Sequence, residues 1–338
     1  MRARVTLAAA AASLALACTP SFKSRPPLAF KDLAYTSPDG RPWPEKRAAL
    51  PETVKAHGLK APLEIGYVEL NPGGKQTILF IHGLGSYLKF WRYQLDTFAA
   101  RGYRVIAVDL PGYGKSDKPS SFPYTTEAMA DVVREVAHVV GAERPILVGH
   151  SMGGQTAMAF AIRFPTELRA LVLTSPAGFE EFSKREKEWF RKVFSTKLIK
   201  KADEYSIWGS VRRSNFGKWR PELEWLIEER VRLAEGPEFE SYAYANVKTV
   251  FGLAENDFVR TSLDKIKVPT IILYGDRDEL IPSAFLHGGF TSSIMRYGHE
   301  RIKGSKLTAL SGCGHTVQMD CPAAYNKAVI EFLSGLDR

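Results

Sequence analysis

A serine, a histidine and an aspartate lie in sequence contexts that together predict nucleophilic catalysis. Ser151 is the central residue of GHSMG, a G-x-S-x-G pattern at 149–153 that follows an apolar run and precedes a helix-like stretch. In that context the pattern predicts a sharp turn from strand to helix, with glycines leaving room for the serine hydroxyl to project. Ser151 is therefore the predicted nucleophile.

The nucleophile needs a base, and the base needs an acid that fixes its tautomer and stabilises the imidazolium. His315 ends the sequence SGCGH after the last predicted strand and is the predicted base. Two aspartates compete as the acid, because Asp276 and Asp278 both follow the run at 270–274. Asp276 leaves the run at once and suits a turn, whereas Asp278 can reach a neighbouring loop, so Asp278 is favoured. The alternative is that Asp278 is also a turn residue.

Attack on a carbonyl builds negative charge on oxygen, so two converging backbone donors are required. The amide of Met152 should be one, because it opens the helix behind the serine. The other is expected from the glycine-rich turn FIHGLG at 80–85, where Leu84 is the best candidate. His82 in this turn is interpreted as a brace held by hydrogen bonds. The chemistry needs no metal and no organic cofactor.

Short apolar runs alternate with helix-like segments through most of the chain. This alternation predicts an α/β fold with a mostly parallel, twisted central sheet and helices on both faces. Helical spacing is found at about 89–101, 126–140, 152–164 and 322–336. The strand-like runs lie at 65–70, 77–81, 105–108, 146–148, 170–173, 270–274 and 307–310.

One long stretch interrupts this alternation and divides the predicted core into 62–176 and 264–338. The intervening residues, 177–263, are too many for a connecting loop and show helical spacing, so they predict an inserted helical cap. Its aromatic residues could enclose an apolar acyl or aryl group, although the favoured interpretation is that most of them pack the cap itself. Residues 19–61 are rich in Pro, Lys and Arg and show little periodicity, which predicts a tether or loosely packed lead-in.

The N-terminal 18 residues have the layout of an export signal. Arg2 and Arg4 precede an uncharged run of mostly Ala and Leu, which ends at Cys18 and is too short to span a bilayer. The small residue before Cys18 resembles a bacterial lipoprotein cleavage box, which predicts a lipidated, periplasmic or membrane-anchored protein. Alternatively, Cys18 lies in a cleaved signal or a tail.

Charge and cysteine content give two further expectations. The net charge of +9 is not accompanied by a basic run interleaved with aromatics, which argues against nucleic acid as a partner. Cys313 and Cys321 bracket His315, and an even pair in an exported protein could form a disulfide. Two unpaired, partly buried thiols are the favoured interpretation.

The motifs HGLG, DLPGYGKS, GHSMGG, GDRDELIP and GCGH occur in an order and spacing that resemble the α/β-hydrolase superfamily over about 62–338. The resemblance implies an oxyanion hole at Leu84 and Met152, a mainly structural Asp109 and a helical cap. Epoxide hydrolases and haloalkane dehalogenases of this superfamily carry aspartate where Ser151 lies, which argues against both. The turn HGLGS also differs from the HGGPG-like turn of prolyl peptidases.

The predicted function is therefore hydrolysis of a small-molecule carboxylic ester through an acyl-enzyme. Two alternatives stay open. The same triad can cleave a carbon–carbon bond in a vinylogous diketone. A lipid-anchored binding protein could instead keep the pocket and hydrolyse nothing.

Overall fold

The computed structural model describes residues 21–255, 257–284 and 286–336. Within them, the strands form one eight-stranded sheet in the order β1-β2-β4-β3-β5-β6-β7-β8. Neighbours from β4 to β8 are parallel, whereas β2 is antiparallel to both β1 and β4. The predicted α/β class is confirmed. The strands are β1 Glu45–Ala49, β2 Glu64–Leu70, β3 Thr77–Ile81, β4 Arg104–Val108, β5 Ile146–His150, β6 Ala170–Thr174, β7 Thr270–Gly275 and β8 Lys306–Leu310.

Helices cover the sheet and fill the connections between strands. Every residue of β3, β5, β6 and β7 is buried, as expected for parallel strands covered on both faces. The helices are α1 Pro51–Ala56, α2 Leu95–Ala99, α3 Thr126–Val139, α4 Met152–Arg163, α5 Lys184–Val193, α6 Thr196–Lys201, α7 Glu204–Asn215, α8 Trp225–Ala234, α9 Phe239–Glu255, α10 Phe258–Thr261, α11 Thr291–Arg301, α12 Val317–Asp320 and α13 Pro322–Ser334. Helix α4 packs on β5 and β6, and α13 packs on β7 and β8.

The lead-in differs from its prediction as a tether, because its described part is packed against the core. Strand β1 extends the sheet as the neighbour of β2. Phe30 and Trp43 are buried, and the Tyr35 hydroxyl donates a hydrogen bond to Asp109. The prediction was wrong because these apolar residues are isolated among Pro and Lys and bury themselves against distant parts of the chain, which leaves no local periodicity.

The lead-in also runs along the helices between β6 and β7. The amide of Phe22 donates to a carboxylate oxygen of Glu204 over 3.2 Å, at the start of α7. Further along, Arg25 forms a salt bridge of 2.6 Å with Glu228 of α8, and the amide of Leu28 donates to the carbonyl of Arg232. These contacts fix the chain from residue 22 onward.

Helices α5 to α10 occupy the stretch between β6 and β7, and residues 183–261 are called the helical segment below. Ser183 begins it with a capping box, in which its hydroxyl accepts from the amide of Glu186 and the Glu186 carboxylate accepts from the amide of Ser183. Helix α9 packs against α5 and α6, and α7 packs against α8. The helical segment therefore has packing of its own beside the sheet.

Most of the predictions about export and membrane attachment concern residues that the structure does not describe. The predicted export signal, 1–18, and Cys18 lie outside the described residues. Among residues 21–255, 257–284 and 286–336, no helix is both long and apolar enough to cross a bilayer. Lipidation of Cys18 stays a prediction.

Candidate active site

Ser151 lies at the turn between β5 and α4 in a strained backbone conformation. Its φ is 50° and its ψ is −114°, a region that non-glycine residues rarely adopt. A Cβ atom at Gly149 would lie 2.2 Å from the carbonyl oxygen of Gly153, and one at Gly153 would lie 2.3 Å from that of Ile81. Only glycine therefore lets the strand, the turn and the helix approach this closely.

His315 and Asp278 form a buried pair. Nδ1 of His315 lies 2.8 Å from Oδ2 of Asp278. The other carboxylate oxygen accepts hydrogen bonds from the amides of Leu280 and Ile281 over 2.8 and 3.1 Å. A carboxylate at Nδ1 keeps the proton on that nitrogen and leaves Nε2 free to accept one. The pair thus has the arrangement that a general base requires.

Asp276 has different hydrogen-bond partners from Asp278. Its Oδ1 accepts from the amide of Gly312 over 2.7 Å, and its Oδ2 accepts from the hydroxyl of Ser311 over 3.0 Å. These hydrogen bonds stabilise the loop that carries His315. Their contacts therefore distinguish the two competing aspartates. Asp278 contacts the imidazole of His315, whereas Asp276 stabilises the loop that carries His315.

Ser151 and His315 line the same cavity, called the Ser151 cavity below. Its volume is about 300 Å³, within the range of small-molecule sites. Leu84 from the turn after β3 lines it. Phe190 of the helical segment and Phe182, just before that segment, line it as well. The predicted nucleophile and the predicted base thus border the same space, which a small ligand could enter.

Leu84 and Met152, the two residues predicted to form the oxyanion hole, lie just after β3 and β5. Met152 is the first residue of α4, where an amide has no partner within its helix and the helix dipole is positive. Leu84 lines the Ser151 cavity. Apart from the hydrogen bonds within helices and strands, no backbone hydrogen bond of the described residues is donated by the amide of Leu84 or of Met152. Their role as an oxyanion hole stays a prediction.

His82 is a brace, as predicted. Its Nδ1 donates to the carbonyl of Gly83 over 2.8 Å, and its Nε2 accepts from the amide of Leu110 over 3.0 Å. Burial lowers the pKa of His82 to about 4. The neutral ring therefore joins the turn after β3 to the end of β4.

His150 was not singled out from the sequence, although it contacts His315, the predicted base. Its Nε2 donates to the carbonyl of His315 over 3.2 Å, and the two ring centroids are 4.9 Å apart. Burial, followed by the nearby His315, lowers the pKa of His150 well below its ordinary value. A neutral His150 therefore helps to position the backbone of His315. Its only sequence signal was its place before Ser151.

Asp109 joins three parts of the chain below the site. Its carboxylate accepts from the hydroxyl of Tyr35 and from the amides of Leu88 and Lys115, each amide over 2.8 Å. Burial raises the pKa of Asp109 to about 6. These contacts agree with the structural role that the family resemblance implied.

Cys313 and Cys321 form a disulfide, with Cα atoms 6.0 Å apart. The favoured interpretation of two unpaired thiols is therefore wrong. The bridge encloses His315 and joins its loop to the residue that precedes α13. The sequence could not decide this, because the separation of the two Cα atoms depends on the folded loop.

We expect replacement of both cysteines by alanine to lower the free energy of unfolding by about 2 to 3 kcal/mol, because a short closed loop is released in the unfolded chain. Thermal unfolding with and without reductant provides the measurement. Reductant should lower the Tm of the wild type and leave that of Cys313→Ala/Cys321→Ala unchanged. Two alkylated thiols in the wild type without reductant would contradict the bridge.

His287 lies between two carboxylates at the start of the helical segment. Its Nε2 is 2.8 Å from Glu180 Oε1, and its Nδ1 is 2.6 Å from Glu186 Oε1. Glu180 lines the Ser151 cavity. Partial burial opposes protonation, but the hydrogen bonds and charges of Glu186 and Glu180 outweigh it and raise the pKa of His287. These two contacts of His287 thus tie the helical segment to the loop after Asp278.

The raised pKa of His287 gives a pH dependence with a definite sign. Its contribution to stability is fully present below the unfolded pKa, near 6.5, and is lost as the pH rises through the folded pKa. We therefore expect His287→Gln to lower the free energy of unfolding more at about pH 5.5 than at about pH 9. Urea denaturation at both pH values measures this. The control is His299→Gln, because that imidazole faces the Ser305 hydroxyl. Equal losses at both pH values would contradict the assignment.

A sheet in this order, with a strained serine after its fifth strand and a histidine–aspartate pair beyond its last two strands, defines the class of α/β-hydrolases. The chain belongs to the alpha/beta hydrolase fold family, whose model matches residues 76–322. Among the described residues, no cluster of three or more His, Cys, Asp or Glu side chains is arranged to hold a metal ion.

Three known proteins illustrate this membership. The chain is 31% identical to the AB hydrolase superfamily protein YisY of Bacillus subtilis, over 77% of this chain and 92% of the relative. It is 29% identical to a 2-hydroxy-6-oxononadienedioate/2-hydroxy-6-oxononatrienedioate hydrolase of Paraburkholderia phymatum, over 77% and 88%. The crystal structure of a probable hydrolytic enzyme from Pseudomonas aeruginosa matches with a TM-score of 0.77 and 25% identity, over 91% and 98%.

Proposed function

We propose that the protein is a serine hydrolase of carboxylic esters in which Ser151 is the nucleophile, His315 the base and Asp278 the acid. The observation that carries the proposal is the 2.8 Å contact between His315 Nδ1 and Asp278 Oδ2, beside a cavity that His315 shares with Ser151. The contact fixes the tautomer that can accept a proton from a serine hydroxyl.

The reaction follows from these positions. Nε2 of His315 takes the proton of Ser151 while the serine oxygen attacks the ester carbonyl. The amides of Leu84 and Met152 hold the resulting oxyanion. The imidazolium then gives its proton to the departing alcohol, and an acyl-enzyme forms. Water attacks this ester with His315 again as base, which releases the acid and restores the serine.

The helical segment acts as a cap in this proposal. Phe190 and Phe194 of its first part line the Ser151 cavity together with Val250 and Leu253 of α9. Apolar walls favour a small-molecule ester with an apolar acyl or aryl group over a highly charged substrate. The cap would also limit the access of water to the acyl-enzyme.

A fluorophosphonate probe tests the proposal directly, because it reacts with activated serines. Labelling of the wild type and absence of labelling in Ser151→Ala are expected. An unlabelled but folded wild type would contradict the hydrolase proposal and favour the binding protein that hydrolyses nothing.

Cleavage of a carbon–carbon bond is the second candidate reaction. It is favoured by the 29% identical relative that is named as a 2-hydroxy-6-oxononadienedioate hydrolase. A panel of p-nitrophenyl esters and a vinylogous diketone separates the two reactions. A kcat/KM for the diketone well above that for every ester would replace the ester proposal.

We also propose that the protein is exported and anchored through Cys18. The Cys313–Cys321 disulfide supports export, because disulfides persist in oxidising compartments such as the periplasm. Fractionation of bacteria that produce the full chain tests the anchor. Wild-type protein should be found with membranes and Cys18→Ala in the soluble fraction, whereas identical distributions would contradict lipidation.

A further inference from the structure

A second cavity adjoins the Ser151 cavity and is called the outer chamber here. Its volume is about 590 Å³. Apart from the residues that it shares with the Ser151 cavity, its wall comes largely from α6, α7, α8 and α9, with Phe30 of the lead-in. The two cavities are neighbours, because several residues line both of them. The residues that line both cavities are Leu84, Ser86, Phe90, Phe194, Asn215 and Val250.

The wall of the outer chamber is mainly apolar. Among the described residues, no aspartate or glutamate lines it. Arg230 does line it, but its guanidinium is stacked over the ring of Phe239 at 4.6 Å and donates to the carbonyl of Ile199 over 3.2 Å. The hydroxyl of Tyr242 likewise donates to the carbonyl of Gly85 over 2.9 Å. Nη1 of Arg230 is buried with no hydrogen-bond partner among the described residues, and Lys201 also lines the chamber. The rest of the wall is mainly apolar, so most of a ligand would be held by apolar contacts.

The walls that belong to the Ser151 cavity alone differ in chemical character from those of the outer chamber. Glu180, Asp257 and Arg260 line that cavity and not the outer chamber. Glu180 is paired with His287, and Asp257 with Lys187. A substrate that spans both spaces therefore meets paired charged groups near one end and mainly apolar walls at the other. The apolar part of an ester, its acyl chain, suits the outer chamber, and the more polar alcohol part suits the Ser151 cavity.

The size of the outer chamber suits a ligand. A mainly apolar space of about 590 Å³ beside the Ser151 cavity is within the size range of ligand sites. A branched or aromatic acyl group could fill the Ser151 cavity alone, whereas a long chain could continue beside Phe90 and Phe194, which line both cavities.

We propose that the outer chamber binds the alkyl chain of a long-chain acyl ester whose carbonyl lies at Ser151. This inference rests on the proposed ester hydrolysis and adds the class of substrate. Each further methylene buried in the chamber should raise kcat/KM by about fourfold until the chamber is full.

A variant that fills the outer chamber provides the test. Val211 of α7 lines the outer chamber and not the Ser151 cavity, so Val211→Trp should occupy the space of the chain. We expect the ratio of kcat/KM for p-nitrophenyl laurate to that for p-nitrophenyl butyrate to fall by about tenfold or more, equivalent to two or more methylenes. The control Val193→Trp makes the same change in α5, where the residue lines neither cavity, and should keep the wild-type ratio.

An unchanged ratio in folded Val211→Trp would overturn the proposal. Folding is checked by thermal unfolding. Should this variant fail to fold, Ala202→Phe introduces a ring at a second position that lines only the outer chamber. The same fall in the laurate-to-butyrate ratio is expected there.

Binding of laurate to Ser151→Ala separates this inference from the proposed function. Calorimetry should give weaker binding when Val211→Trp is added to Ser151→Ala, by about tenfold or more. If binding is weakened in this way but the wild type hydrolyses no ester, chain binding in the outer chamber is supported and the proposed ester hydrolysis is wrong. If the wild type hydrolyses butyrate without preferring laurate, and Val211→Trp has no effect, the proposed hydrolysis is supported and chain binding in the outer chamber is wrong.

Discussion

Replacing Ser151 with alanine is expected to lower kcat for p-nitrophenyl butyrate by on the order of 10⁵-fold or more. The change removes the proposed nucleophile, so no acyl-enzyme should form. The amides of Leu84 and Met152 and the walls of the Ser151 cavity remain, and they can stabilise only a slow direct attack by water. Alanine also fits the strained turn at least as well as serine, so the loss should not reflect unfolding.

Ser175 provides a matched control for this variant. It follows β6 as Ser151 follows β5, it is buried, and its backbone φ of 39° is also in the left-handed region. It does not line the Ser151 cavity. Ser175→Ala should therefore retain kcat within a small factor. A Ser151→Ala protein that keeps more than about a tenth of wild-type kcat would exclude Ser151 as the nucleophile.

Asp278→Asn is expected to lower kcat by on the order of 10²-fold or more, and Asp276→Asn by much less. An amide facing Nδ1 of His315 cannot stabilise the imidazolium and can hold the ring in the wrong tautomer. At position 276, the asparagine oxygen can still accept from the amide of Gly312, so the loop keeps one of its two hydrogen bonds. The two substitutions are chemically identical, and their difference isolates the contact with His315.

Steady-state kinetics of both variants should be accompanied by thermal unfolding. Asp276→Asn should lower Tm at least as much as Asp278→Asn, since Asp276 holds the loop between β8 and α12. Equal losses of kcat, or a larger loss in Asp276→Asn, would show that Asp278 is not the acid.

Features with a local chemical cause could be predicted from the sequence. Strand β3 lies at the predicted residues 77–81, because a run of buried apolar side chains bounded by glycines carries its own signal. The strained turn at Ser151 was indicated by the glycines at 149 and 153, whose positions the close packing of β5 and α4 demands. The structure placed Asp278 and not Asp276 against His315, in agreement with the distance of each from the end of β7.

Features created by distant contacts could not be predicted in this way. Strand β1 pairs with β2 through backbone groups, which have no side-chain signature, and its neighbours bury single aromatic residues such as Trp43. The contacts of His150 with His315, and of His287 with Glu180, join residues more than 100 positions apart. Composition and periodicity describe neighbours along the chain and therefore contain no information about such pairs.

The packing of the lead-in limits how far the protein body could lie from a lipid on Cys18. Since Phe22 is already fixed to Glu204, only the four Cα–Cα steps from Cys18 to Phe22 could separate the lipid from the protein body. Fully extended, these steps span about 14 Å, less than the diameter of a small domain. A lipidated protein would thus lie at the bilayer surface and could not move far into the surrounding solvent.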